Sequence, residues 1–178
     1  MEIAKLRAAR MVYAQIAEAY GASEEARKLH VFARTSAFTK TAYDPYVNIL
    51  RTTTEAFSGV VGGVDAMEVA PLDEPFGSSE ELTRRIARNI QVMMQEEFHL
   101  TQPVDPAGGS WYVETLTAQL AESIWAYFQN IESKGGIESV ILSGTLQDDV
   151  AATLAQRFKN LDTRADRAVG VNMYALSL

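Results

Sequence analysis

Apolar residues at Ile3, Leu6, Tyr13, Ile16 and Tyr20 recur near the helical period, and Gly21 follows them. That pattern predicts an amphipathic helix over 3–20 with a glycine stop. The short apolar run Leu29–Phe32 opens a predicted strand over 29–34. Asp44-Pro45 then reads as a helix start, with aspartate capping free N–H groups and proline where no N–H is needed. The helix runs over 45–61 to Gly62-Gly63, and Val64–Ala70 reads as a second strand. Ser78-Ser-Glu-Glu81 matches a capping box ahead of Leu82, Ile86, Ile90, Met93 and Met94, which predicts a helix over 79–98. Two prolines and two glycines make Thr101–Ser110 a loop. Leu116, Leu120, Ile124, Phe128 and Ile131 line a helix over 114–134 that Gly135-Gly136 ends. Thr145 and Asp148 cap a last helix over 146–161, striped by Val150, Leu154, Phe158 and Leu161, and Val169–Met173 reads as a final strand.

Helix, strand, helix, strand, helix in the first hundred residues implies parallel strands joined by crossover helices, hence an α/β class. The remainder is mainly helical. No stretch of about 18 apolar residues occurs, so no segment reads as a membrane-spanning helix. The region Met1–Tyr20 is interrupted by Lys5, Arg7 and Arg10, so it does not read as a signal peptide.

Composition narrows the picture little. The 178 residues are 47% hydrophobic and 22% charged, as in ordinary globular chains. A formal net charge of -7 argues against a general nucleic-acid binder. The chain has no cysteine, which excludes disulfides and thiolate chemistry and fits a cytoplasmic setting. Both ends carry apolar sequence without polar tails, Ile3 onward and Val169–Leu178, which fits either a piece of a longer polypeptide or a small protein with well-docked ends.

Candidate chemistry is sparse. His99 with Glu96 has i, i+3 spacing and would supply half a metal site, but a helix-terminal histidine facing exposed carbonyls is the commoner arrangement. Gly62-Gly63 and Gly108-Gly109 match neither phosphate-loop pattern and read as a helix end and a tight turn. Arg84, Arg85 and Arg88 would either meet an anionic ligand or form a solvated face paired with Glu80 and Glu81, and the second is expected. Pattern and composition thus reach a soluble α/β domain with extra helices and no reaction.

Several blocks together resemble the adenosylcobalamin-dependent acyl-CoA mutase family, nearest to the small, non-catalytic branch of methylmalonyl-CoA mutase. They are Arg34-Thr-Ser-Ala37, Ala42–Asn48 with Leu50–Thr53, Val61–Gly63, Leu72–Glu74, Arg85–Gln91, Glu96-Glu97, Val104–Glu114 and Gly170–Asn172. The Arg85–Gln91 and Asp105–Glu114 blocks are the most specific. The resemblance implies the C-terminal part of a (β/α)8 barrel over 1–100 and a helical linker over 101–178. It implies adenosylcobalamin and acyl-CoA in a complete complex, no cofactor in this piece, and a catalytic large subunit as partner. It also implies self-association of the isolated piece. A catalytic chain of a related mutase, such as an isobutyryl-CoA type, is the alternative.

The departures from that resemblance concern named positions. Catalytic members read Q-T-S-G-W where this chain has Arg34-Thr-Ser-Ala-Phe38, so Arg34 and Ser36 occupy substrate-side positions and Ala37 a corrin-side one. They read T-Q-S-L-H-T-N where this chain has Val64–Ala70, so Asp65 places a negative charge toward an anionic ligand. Glu74 keeps the family's acidic residue near the corrin, but Pro75 follows it. The cobalt-ligating D-x-H-x-x-G pattern is absent around His30 and His99. No catalytic or metal residue is therefore expected here.

Overall fold

The computed structural model describes residues 1–175. Elements follow in the order α1 (Glu2–Ala19), β1 (Phe32–Arg34), α2 (Val47–Val61), β2 (Ala66–Glu68), a 3-10 turn (Glu74–Phe76), α3 (Glu81–Glu96), α4 (Trp111–Ser133), α5 (Gly136–Leu142) and α6 (Thr145–Asp162). The chain divides into two compact units, Met1–Ser123 and Ile124–Leu178, with the division inside α4.

In the first unit β1 and β2 pair in parallel, with Phe32 opposite Ala66, Ala33 opposite Met67 and Arg34 opposite Glu68. The expected α/β class is therefore present, as a β1–α2–β2 crossover. The strands are shorter than the apolar runs because side chains replace backbone partners at both ends. The Val31 N–H donates to Asp65 Oδ2, while Asp65 N–H donates to Val31 O. At the other end the Ala70 N–H donates to Thr35 Oγ1 rather than to a carbonyl.

Ala56, Val69, Ala87, Ile90 and Met94 form the core, with Ile49, Val60, Met67 and Leu100 packed against it. Residues 56 (α2) and 87, 90 and 94 (α3) thus meet over β2. Small residues allow close approach: a Cβ on Gly59 would lie 2.7 Å from Met67 Sδ, and one on Gly62 would lie 2.6 Å from Leu6 Cδ1. α1 buries Ala4, Ala8 and Val12 and packs on α2. Arg7, on α1, reaches the loop before α4. Its Nη1 donates to both carboxylate oxygens of Asp105, at 2.6 and 2.7 Å, and its Nη2 to Glu114 Oε1 at 2.7 Å. Glu114 Oε1 also accepts the Gly109 N–H, which closes the Asp105–Gly109 turn.

Several sequence expectations are corrected. α2 starts at Val47, not at Pro45; Asp44 and Pro45 form a turn whose carbonyls accept the Val47 and Asn48 N–H groups. The Ser78–Glu81 capping box does not form. Glu80 is the N-cap of α3 and makes no side-chain cap bond; Asp73 Oδ2 instead accepts the Glu80 N–H and the Thr83 hydroxyl from seven and ten residues away. A distant buried carboxylate thus supplies what the local serine was expected to supply.

In the second unit Gly135 (φ 96°) and Gly136 (φ 83°) take left-handed conformations, and a further short helix, α5, follows them directly. Gly144, not Thr145, is the N-cap of α6. Part of the α6 stripe is exposed, Val150 at 61% and Leu154 at 40%. Val169 and Met173 form an isolated bridge with each other instead of a strand, because Asn172 turns the chain back by bonding the Ala168 N–H and the Leu161 and Asp166 carbonyls. Residues 176–178 of that apolar run lie outside the described residues. No helix among the described residues is long and apolar enough to cross a membrane.

Candidate functional site

In parallel α/β units, ligand sites form beyond the carboxyl ends of the strands. Here that end carries Arg34, the last residue of β1, and Glu68, the last residue of β2, directly opposite each other in register. Arg34 Nε donates to Glu68 Oε1 at 3.1 Å, and Arg34 Nη2 donates to Glu74 Oε1. The other Glu74 oxygen lies 3.1 Å from Lys40 Nζ, close but outside hydrogen-bond angles. The Lys40 side chain is fully buried, and its ammonium donates to the Ser36 carbonyl at 2.7 Å. Two cations and two carboxylates from four segments therefore close on one another.

The loops that carry these groups are pinned from α2. Glu55 Oε2 accepts the Ser36 N–H at 3.0 Å, and its other oxygen accepts the Thr39 hydroxyl. Asn48, fully buried, donates through Nδ2 to the Thr41 and Leu72 carbonyls, both at 2.9 Å. Its Oδ1 accepts the Thr41 N–H and Arg51 Nη1. One side chain thus ties the loop after β1 to the loop after β2.

Of the expected site residues, Arg34, Ser36 and Glu74 come together at this end, and Ala37 lies exposed in the same loop. Asp65 does not join them. It precedes β2, at the opposite end of the strands, where its Oδ2 accepts the Val31 N–H at 2.7 Å and Arg10 Nη2 at 2.8 Å. Its negative charge is thus matched by Arg10, and it braces the strand starts. His30, 84% exposed in its side chain, stands near the same carboxylate. His99 follows α3 with φ 53°, and among the described residues no group of three or more histidines and carboxylates could hold a metal ion. On α3, Arg84 donates to the Ser79 carbonyl rather than pairing with Glu80 or Glu81. Lys40, Asn48, Glu55 and Glu68 were not singled out by sequence reasoning. The only signal was that Asn48 and Glu68 fall inside blocks that carry the resemblance or its departures.

Burial pushes the Glu74 carboxyl up, but Arg34 and Lys40 outweigh it and hold it below the usual range. Burial likewise acts on Asp73, and the Glu80 N–H with the Thr83 and Ser79 hydroxyls outweighs it. The Val31 N–H and Arg10 lower Asp65. Groups lowered in the folded state bind fewer protons than in the unfolded chain, so their stabilisation is present above about pH 4, the unfolded carboxylate range. It is lost as pH falls through the folded values. The urea midpoint is expected to hold between pH 7 and 5 and to fall below about pH 4. A midpoint that stays level or rises between pH 4.5 and 3 contradicts this.

A family model described as methylmalonyl-CoA mutase matches residues 1–177. The chain is 44% identical over 177 residues to the methylmalonyl-CoA mutase small subunit of Streptomyces virginiae, covering 99% of this chain and 28% of that protein. It is 40% identical over 176 residues to the small subunit of Porphyromonas gingivalis, covering 98% of this chain and 28% of that one. Against the large subunit of Porphyromonas gingivalis it is 34% identical over 177 residues, covering 99% of this chain and 25% of that protein. The chain thus spans about a quarter of the length of these relatives.

Proposed function

The chain belongs to the methylmalonyl-CoA mutase family, and from that premise we propose that it is part of the small, non-catalytic chain of a two-subunit mutase interconverting methylmalonyl-CoA and succinyl-CoA. The observation that carries this reading is the closed charge cluster at the strand ends. Arg34 donates to Glu68 and Glu74, and the buried Lys40 faces Glu74 and donates to the Ser36 carbonyl, so the cations at this end are already engaged within the chain. Catalysis of a demanding rearrangement rests on positioned groups that meet the reactant. The higher identity to small subunits, 40% against 34% within one organism, supports the same reading over a catalytic isobutyryl-type chain.

On this reading residues 1–100 are the late part of a (β/α)8 barrel, and residues 101–178 are the linker that follows. Two strands cannot close a barrel, so the open sheet expects further strands. Adenosylcobalamin is the cofactor that the family implies, and the residues here do not fit it. Glu74 accepts from Arg34 on one oxygen and faces Lys40 with the other, His30 lies at the far end of the strands, and His99 follows a helix end. The cofactor and the acyl-CoA are therefore assigned to the large subunit. The exposed Val150 and Leu154 of α6 support association with that partner or, for the isolated piece, with itself. A cytoplasmic location completes the reading, consistent with the absence of cysteine.

The test uses the full-length polypeptide that contains this chain, purified with and without a large subunit and supplied with adenosylcobalamin and methylmalonyl-CoA. Turnover is expected only when the large subunit is present, and the two should co-purify. The substitutions Arg34→Gln and Asp65→Gln together are expected to leave the partner-free chain inactive, because many groups must be positioned at once. Partner-free turnover by the unaltered chain overturns the proposal in favour of a catalytic chain.

A further inference from the structure

We propose that the outward line of α2 is a self-pairing surface through which two copies of this chain form a symmetric dimer. The surface belongs to α2 and does not depend on the non-catalytic role, since either kind of subunit could carry it.

α2 packs on α1, on α3 and over β2. Its exposed positions are Leu50, Thr54 and Phe57, with the N-cap Tyr46 one turn earlier. The spacing i, i+4, i+8, i+11 sets all four on one line along the helix. A helix side that faces water ordinarily carries charge. This one does not, although Tyr46 is 75%, Leu50 66% and Phe57 44% exposed. The two charged side chains of α2 are engaged elsewhere: Arg51 donates to Asn48 Oδ1, and Glu55 accepts the Ser36 N–H. Thr54 Oγ1 donates to the Arg51 carbonyl at 2.9 Å, within its own helix. Apart from the Tyr46 hydroxyl at its rim, the line asks for neither a charge nor a hydrogen bond.

Strands added at the free edges of β1 and β2 would extend the sheet layer beneath α2 and would not reach its outer side. The cover must therefore come from another surface. A charged surface would lose its hydration against this line with no opposite charge in return. A second copy of the line brings no charge at all. The chain carries a net charge of -7, so two copies repel where their acidic faces meet, and an uncharged face is where they can touch. Pairing the line with itself also closes the assembly at two. The exposed Tyr43 lies just before the turn into α2 and adds to the patch. Aromatic side chains of about 150–250 Å² each bring it to about 400–600 Å² per copy. Two copies then bury about 1,000 Å², the lower end for a specific interface, which fits a micromolar dimer.

Sedimentation equilibrium of the 178-residue chain is expected to show monomer and dimer exchanging in the micromolar range. Leu50→Asp is expected to keep the circular dichroism spectrum and to weaken the dimer on the order of a hundredfold, since each substitution enters a symmetric contact twice. Val104→Asp, at an exposed loop position away from α2, is expected to leave the dimer intact. The absence of cysteine permits a second readout. A short bismaleimide is expected to join two copies of Thr54→Cys and not two copies of Val104→Cys. If Leu50→Asp does not fold, that cross-link decides. A chain that stays monomeric, a dimer that survives Leu50→Asp or is lost with Val104→Asp, or equal cross-linking at the two positions overturns the proposal. So does a monomeric chain that binds a large subunit through Leu50, which would give the face to that partner.

Discussion

Asn48→Leu is expected to lower the thermal midpoint of unfolding by about 10 °C, measured by circular dichroism at pH 7. Leucine keeps the branched skeleton of asparagine but is bulkier, so the loss combines stripped polar partners with some overpacking. Asn48 is fully buried and serves four partners: the Thr41 N–H and carbonyl, the Leu72 carbonyl and Arg51 Nη1. Leucine leaves them to find other partners or go without. A buried polar group stripped of its partner costs about 1–3 kcal/mol, and partial access of water to Thr41 brings the total to about 3–4 kcal/mol. At about 2–4 °C per kcal/mol for a chain of this size, that gives the expected shift. Asn48→Asp provides the directional control. It keeps an acceptor for the Thr41 N–H but sets an oxygen against two carbonyls, so it should fare no better than leucine. A shift of less than about 2 °C for Asn48→Leu contradicts the role assigned to this residue.

Lys40→Met is expected to cost about 3 kcal/mol at pH 7, near the lower end for breaking a buried pair because Glu74 keeps Arg34. Methionine fills the stem of the lysine but removes the charge behind Glu74 and the donor to the Ser36 carbonyl. The cost carries a pH signature. Glu74 is held ionised in the folded chain by two cations, and with one gone its carboxyl takes up a proton more readily. The difference between the two proteins is therefore largest at neutral pH and shrinks as the pH falls through the folded-state titration of Glu74, which comes earlier in the variant than in the unaltered chain, where the carboxyl is held below its usual range. Urea titrations at pH 7 and pH 3.5 measure both quantities. A difference that does not change with pH would assign the loss to packing instead of charge.

Features governed by neighbours along the chain were legible in the sequence. The helices α1 and α3 and the glycine stops at Gly21 and Gly62-Gly63 appear near where the periodicity placed them, but Tyr13 and Tyr20 of the α1 stripe and Leu82 and Met93 of the α3 stripe are exposed, while Ala4, Ala8, Val12 and Ala87 are buried. The two parallel strands were legible as apolar runs joined by a helix, although their ends were not. Ladder ends depend on which side chain intercepts a backbone group, and Asp65 and Thr35 do so from the opposite strand. The cap of α3 failed for the same reason, since Asp73 outcompetes the local serines from across a loop. α5 was missed because two left-handed glycines ordinarily end a helix, whereas here they separate two helices. At the site, Arg34 and Glu74 were found through resemblance. Lys40, Asn48 and Glu55 were not, because a lysine in a loop and polar residues on a helix give no sign of burial or long-range bonding until the loops are folded.

The Arg7 clamp has a consequence in time as well as in space. Arg7 and Asp105 are 98 residues apart, and Arg7 and Glu114 are 107 apart. Bringing such distant segments together from a flexible chain carries a closure entropy that three charged contacts at the surface cannot repay alone. The clamp is therefore expected to form only after α1 has docked on α2 and the α2–β2–α3 core has drawn the Asp105 loop near. Contacts that form after the barrier slow unfolding and leave the folding rate nearly untouched. Arg7 thus belongs to the kinetics of leaving the native state: it lengthens the lifetime of the fold it joins last.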